Sequence, residues 1–114
     1  MAITVEKARG LSKQEALVDA ASKGLIVIVQ EAEQGDSEET HWHKWDTHLY
    51  LLEGEFRGFD PDNPDLVLEP GDYCVVPKKT LHAGFYAKPC TLVVGVTSEL
   101  LDNITIQEDP AGLA

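Results

Sequence analysis

All four histidines of the chain lie in two places, and their spacing is that of metal ligands. His41, His43 and His48 fall close together, and His82 follows much later in the chain. Imidazole is the commonest side-chain ligand of metals in proteins. Side chains two apart on a strand share a face, so His41 and His43 can offer nitrogens to one ion. A third ligand arriving from a distant strand, at His82, would complete a metal site.

An acidic run precedes these histidines. Five carboxylates lie between residues 31 and 39, namely Glu31, Glu33, Asp36, Glu38 and Glu39. Such a run is typical of a solvated loop. It also creates a negative field that attracts cations toward the histidines that follow. Both interpretations remain open at this point.

Composition and charge exclude several classes of function. The 114 residues, 43% of them hydrophobic, predict a single domain over 1–114 with a core of its own. A net charge of -11 argues against binding to nucleic acid or to an anionic membrane surface. Because no apolar run approaches the length of a membrane span and no leader pattern is visible, we expect a cytoplasmic protein.

One helix is predicted at about 12–23. Ser12 and Glu15 have the spacing of a capping box, and Gly24 has the character of a helix stop. The intervening apolar residues recur at helical spacing, although the apolar stripe that they form is narrow. We therefore expect a short surface helix that packs against a sheet.

The rest of the chain predicts strands. The continuous apolar run Leu25–Val29 is typical of a strand buried on both faces. Further strands separated by Gly and Pro turns are predicted at Leu49–Leu52, Phe56–Phe59, Leu66–Leu68, Tyr73–Val76, Thr91–Val96 and Ile104–Ile106. This pattern predicts an all-β sandwich or barrel over about 25–106, followed by a frayed tail at 107–114.

Two segments resemble the two conserved motifs of the cupin superfamily. Gly35-x5-His41-x-His43, with Gly54 further on, is similar to the first motif, and Gly71-x5-Pro77-x4-His82 is similar to the second. The resemblance implies a cupin jelly-roll β-barrel with one short N-terminal helix. It also implies a divalent metal held by His41, His43 and His82, and the pairing of two copies in a homodimer.

The first motif departs from the family pattern where the family has a glutamate ligand. That position falls on Thr47 or on His48, and neither is acidic. If His48 is a fourth ligand, Tyr50 faces the site with it, whereas Thr47 would bring Leu49 instead. Both faces are apolar, so hydropathy does not decide between them. A site built of imidazoles alone suits Fe, Ni, Cu or Zn better than Mn. By resemblance to three-histidine cupins that act as dioxygenases, Fe is the metal expected first, with Ni, Zn, Cu or Mn as alternatives.

Four further residues bear on the site, and three of them, Tyr86, Trp45 and Arg57, have two interpretations each. Lys79 replaces a usual glycine, so the turn there need not adopt a positive φ. Tyr86 replaces a usual asparagine and either points its phenol into the cavity or packs as a core aromatic. Trp45 either walls a pocket or is a partly exposed anchor. Arg57 either clamps a carboxylate substrate or forms a surface salt bridge.

By resemblance, the function expected first is that of a metal-dependent enzyme. The specific form is a dioxygenase-type oxidation of a small organic molecule at an all-histidine site. A non-catalytic cupin that binds a small ligand or a metal is one alternative. A metal-free isomerase or sugar-binding barrel is another, because a fold does not determine a reaction.

Overall fold

The computed structural model describes residues 3–7, 10–60 and 63–99. The predicted strand Ile104–Ile106 and the tail 107–114 lie outside these residues. The elements in chain order are β1 (Thr4–Glu6), α1 (Lys13–Ser22), β2 (Ile26–Ala32), β3 (Ser37–His41), β4 (Thr47–Glu53), β5 (Phe56–Asp60), β6 (Asn63–Leu68), β7 (Tyr73–Val76), β8 (His82–Tyr86) and β9 (Cys90–Val96). The sequence pattern predicted no strand at β1 or β8, and β3 begins inside the acidic run that had suggested a loop.

The strands form two antiparallel sheets that enclose the core. The five-stranded sheet has the order β1-β7-β4-β9-β2, and the four-stranded sheet has the order β3-β8-β5-β6. The prediction of an all-β fold with one short helix is confirmed. The main apolar cluster lies between the sheets and includes Leu51, Phe56, Leu68, Leu92 and Val94.

Helix α1 covers the outer face of the five-stranded sheet. Ser12 caps it in the predicted capping box, in which the Ser12 hydroxyl accepts from the Glu15 amide and the Glu15 carboxylate accepts from the Ser12 amide. Ala16 and Ala20 are fully buried against the sheet residues Tyr50, Tyr73 and Val93. Within the described residues, no helix is long and apolar enough to cross a membrane.

Strand β2 differs from its prediction. It pairs with β9 and lies at the edge of the five-stranded sheet, where Ile28 and Val29 are 48% and 41% exposed. The prediction of a strand buried on both faces was therefore wrong. A run of β-branched residues indicates a strand, but it carries no information on whether that strand is central or at an edge.

Candidate metal centre

Three histidines converge at one end of the space between the sheets. His41 is the last residue of β3, His82 is the first residue of β8, and His43 follows β3 in the loop to β4. One ligand atom from each lies within 4.8 Å of the others. The ring centroids of His41 and His82 are 4.2 Å apart, and those of His41 and His43 are 4.8 Å apart. The two motifs thus meet in space.

Backbone carbonyls orient two of these rings. His41 Nδ1 is hydrogen-bonded to the Glu39 carbonyl, and His82 Nδ1 is hydrogen-bonded to the Thr80 carbonyl at 2.8 Å. A carbonyl only accepts, so each Nδ1 donates and the lone pair of each neutral ring resides on Nε2. Such bonds are typical of histidines that ligate metals, because they hold the ring and its tautomer.

The structure provides a direct test of whether a metal ion fits these residues. His41 is 4% exposed, and its Nε2 atom is buried without a hydrogen-bond partner. A buried nitrogen lone pair without a partner is costly, and an ion bound to it would remove that cost. The same three residues form the only potential metal cluster detected in the described part of the chain. The donor set therefore fits a divalent transition metal.

Burial also affects the protonation of His82. Desolvation lowers the pKa of His82 to about 4, although the hydrogen bond to the Thr80 carbonyl opposes this shift. His41 and His43 lower the pKa further through repulsion between the rings in their charged forms. At neutral pH the ring of His82 is therefore uncharged, which leaves Nε2 free to bind a metal.

The structure corrects the inclusion of His48 among the ligands and of Tyr50 in the pocket. Thr47 pairs with Val76 and Val96, which belong to the core between the sheets, so Thr47 faces inward. By the alternation of a strand, His48 and Tyr50 face outward toward α1. His48 Nδ1 is hydrogen-bonded to the Tyr73 hydroxyl, and the Tyr50 hydroxyl donates to Asp19 Oδ2 at 2.6 Å. Burial, together with nearby Lys23, lowers the pKa of His48.

A cavity of about 240 Å³ lies beside the three histidines. Trp45 is 3% exposed, lines this cavity and stacks on His43 with ring centroids 5.0 Å apart. Thr47 lines it as well, and its hydroxyl is buried without a hydrogen-bond partner. Pockets for drug-sized ligands span roughly 300–1,000 Å³, so this cavity suits a smaller organic molecule.

Tyr86 also lines the cavity. Its hydroxyl accepts a hydrogen bond of 3.2 Å from the side-chain amide of Gln30, which also lines the cavity. Burial is the main cause that raises the pKa of Tyr86, so the phenol stays protonated and can still donate. The ring packs on Phe56 as well, so both interpretations of Tyr86 hold together.

Arg57 lies outside the cavity, which corrects its inclusion among the pocket residues. Phe56 and Gly58 face the cavity, and alternation along β5 turns Arg57 outward. Its guanidinium lies 3.1 Å from a carboxylate oxygen of Glu55 at the protein surface. The surface ion pair is therefore the role that the structure shows.

Lys79 also differs from its prediction. Its φ is 62°, in the left-handed region, although the replacement of glycine suggested that the turn need not adopt it. The Lys79 amide donates to the carbonyl of His43 at 2.9 Å. The turn of the second motif is therefore hydrogen-bonded to the loop that carries His43 of the first motif. This bond offsets the strain of a non-glycine residue at position 79.

Sequence analysis missed Gln30 and Glu38, which both line the cavity. The Glu38 carboxylate approaches His41, with 3.8 Å between Oε2 and Nε2. Gln30 follows Ile28 by two positions, and both line the cavity, so strand alternation offered a signal for it. Glu38 had no comparable signal, because the acidic run contains five carboxylates that look alike in sequence.

The fold and the site define a small two-sheet β-protein with three converging histidines, of which His41 is buried, beside an apolar cavity. A sequence model of the cupin domain matches residues 28–95, so the chain belongs to the cupin domain family. The spacing of both motifs had indicated this family, and the prediction is confirmed.

Similar proteins include enzymes of different kinds. The chain is 35% identical over 73 residues to a quercetin 2,3-dioxygenase from Bacillus subtilis (strain 168), and this match covers 63% of the chain but 21% of that enzyme. It resembles the DMSP lyase DddQ from Ruegeria pomeroyi DSS-3 at 26% identity and a TM-score of 0.60, over 67% of this chain and 39% of that one.

A salicylate 1,2-dioxygenase from Pseudoaminobacter salicylatoxidans shares the fold, with a TM-score of 0.60 at 19% identity, over 68% of this chain and 21% of that one. The chain thus spans about a fifth of the length of each of the two dioxygenases.

Proposed function

We propose that this cupin is a metal-dependent oxidoreductase of the dioxygenase type that acts on a small organic molecule. The observation that carries the proposal is the buried, unpartnered Nε2 of His41, placed among three converging histidines beside a ligand-sized cavity. The similarity to a quercetin 2,3-dioxygenase supports this reaction class.

His41, His43 and His82 would hold the ion, and Fe(II) is the metal that we propose. Bound there, it would supply the redox chemistry that couples O₂ to the organic substrate. The His82 ring would bind as a neutral ligand, because burial lowers its pKa to about 4. The three rings would hold the ion where the two motifs meet.

The walls of the cavity would bind the carbon skeleton of the substrate and exclude water. Trp45, Phe56 and Leu49 present apolar surface to the cavity, and the stacking of Trp45 on His43 holds one wall beside the metal ligands. Excluding water strengthens polar interactions inside and limits side reactions of oxygen chemistry.

Two hydroxyl groups would orient the polar end of the substrate. The Thr47 hydroxyl has no hydrogen-bond partner among the described residues. A substrate oxygen can therefore form a hydrogen bond with it without breaking an existing one. The Tyr86 hydroxyl accepts from Gln30 and retains its proton for donation to a second oxygen. A small aromatic compound with adjacent oxygen substituents matches this combination of apolar walls and hydroxyls.

The proposal is tested by loading the metal-free protein with Fe(II), Ni, Zn, Cu or Mn in turn. Oxygen uptake is measured with quercetin and with smaller dihydroxylated aromatics, and products are identified by mass spectrometry. We expect uptake that depends on the metal and disappears in His41→Ala. Ligands that bind tightly but are recovered unchanged with every metal would instead indicate a binding protein.

A further inference from the structure

A bulge in β3 brings a carboxylate to the same face as the first metal ligand. Residues three apart on a regular strand face opposite sides, so Glu38 and His41 should point apart. In the structure Glu38 pairs with Gly84 and His41 pairs with His82, so three steps along β3 oppose two steps along β8. The extra residue changes the alternation and turns both side chains to one face.

That face is the inner one. Residues directly opposite each other in an antiparallel pair share a face, so Glu38 lies on the side of Gly84. A Cβ on Gly84 would lie 2.5 Å from Cζ of Phe56, which belongs to the core between the sheets. The Phe56 ring therefore marks this face of Gly84 as the inner one, and Glu38, on the same face, lines the cavity.

We infer that Glu38 is the anionic ligand that the first motif lacks, supplied from β3 instead of β4. The inference rests on the proposed metal site. Oε2 of Glu38 lies 3.8 Å from Nε2 of His41, and that nitrogen is buried without a hydrogen-bond partner. Two atoms that each lie about 2.1 Å from one ion are about 3 Å apart. Among the described residues the cluster itself contains only the three histidines, so the Glu38 side chain must rotate toward them to join it.

Charge gives the inference its physical reason. Three neutral imidazoles would leave the full charge of a divalent ion beside an apolar cavity, which is unfavourable in a medium of low polarity. The family position on β4 holds Thr47, whose hydroxyl is neutral. A carboxylate from Glu38 reduces the net charge of the centre, and it leaves Thr47 free to contact the substrate.

The chain contains a matched control at the next residue. Glu39 carries the same charge on the same strand, but its side chain is exposed. Only its backbone carbonyl contacts His41, and a change of side chain keeps that carbonyl. Glu39→Gln therefore removes one charge from the acidic run without removing a carboxylate from the site.

The experiment titrates Co²⁺ into metal-free wild type, Glu38→Gln and Glu39→Gln, followed by calorimetry and by the visible spectrum of the bound ion. We expect Glu38→Gln to weaken binding by at least about tenfold and to change the spectrum, because a ligand is lost. Glu39→Gln should stay within about twofold of wild type, with the same spectrum. Circular dichroism and the Tm establish that each variant is folded.

The possible failures are distinguishable. Wild type that binds Co²⁺ with Glu38→Gln unchanged in affinity and spectrum overturns the role of Glu38 and leaves the proposed function standing. Equal losses in both variants overturn it too, because the effect would then be the general attraction of an acidic surface. Wild type that takes up no metal overturns the proposed function together with this inference.

Discussion

His41 and His82 are direct cross-strand neighbours on β3 and β8, with ring centroids 4.2 Å apart. One belongs to the first motif and the other to the second, so a single strand pair joins them. The candidate centre therefore depends on the hydrogen bonding of the four-stranded sheet, and the pairing of β3 with β8 holds these two histidines side by side.

Removing His82 is expected to abolish metal binding while leaving the fold intact. The core between the sheets is apolar and does not depend on this ring. Elemental analysis of His82→Ala after loading should give a metal-to-chain ratio near zero. The control is His48→Ala, which should keep wild-type stoichiometry because His48 faces α1. Stoichiometric metal in His82→Ala would refute the ligand assignment.

The metal-free protein should lose stability as the pH falls. Burial depresses the pKa of His82 from 6.5 to about 4 in the folded state, so the unfolded state binds more protons between these values. The contribution of His82 to the free energy of unfolding is fully present above pH 6.5 and is lost as the pH falls toward 4. It amounts to no more than about 3 kcal/mol.

Urea unfolding at several pH values, after treatment with a chelator, would measure how steeply the free energy of unfolding changes with pH. His82→Asn should flatten this dependence, and a smaller slope of the same sign should remain from His48, whose pKa burial also lowers. An unchanged slope in His82→Asn would contradict the assignment to His82.

Thr47→Val should stabilise the protein and weaken the binding of its ligand. The variant keeps the shape but removes a buried hydroxyl without a partner, whose burial costs about 1–3 kcal/mol. Thr80 is the matched control, since its hydroxyl is also buried and unpartnered but it does not line the cavity. Thr80→Val should raise the Tm without a change in ligand affinity; equal losses of affinity would contradict the role of Thr47.

Gly84→Ala should destabilise the protein by about 1–3 kcal/mol, the usual cost of overpacking. The new methyl group would lie 2.5 Å from Cζ of Phe56, so the ring must move toward the cavity. Gly58→Ala is a milder comparison, because its nearest contact is 3.0 Å from the end of the Leu66 side chain. Denaturant unfolding compares the two variants; a neutral Gly84→Ala would show that Phe56 has room to move.

Much of the fold could be predicted from the sequence because its signals are local. The capping box at Ser12 and Glu15 formed as expected, and the Gly and Pro turns separated strands near their predicted positions. The capping box and the turns depend on residue type and short-range geometry, which sequence patterns record directly. The convergence of His41, His43 and His82 was instead implied by the resemblance of the two motifs to those of cupins.

What could not be predicted depends on pairing between distant strands. Thr47 and His48 lie on a strand that is apolar on both faces, because α1 covers one side and the core covers the other. Hydropathy cannot choose between two buried faces, and only the pairing of Thr47 with Val76 and Val96 decides. The bulge in β3 that turns Glu38 inward is likewise a property of two strands and not of one.

The pairing register of strand β4 determines which of its side chains face the candidate metal centre. Thr47 faces the cavity and His48 faces α1, so a slip of one residue would exchange a hydroxyl for an imidazole at the same point in space. That slip would also expel Leu49 and Leu51 from the inner face and break the bond between Tyr50 and Asp19. The helix on the outside of the sheet thereby determines which donor atoms the inside can offer.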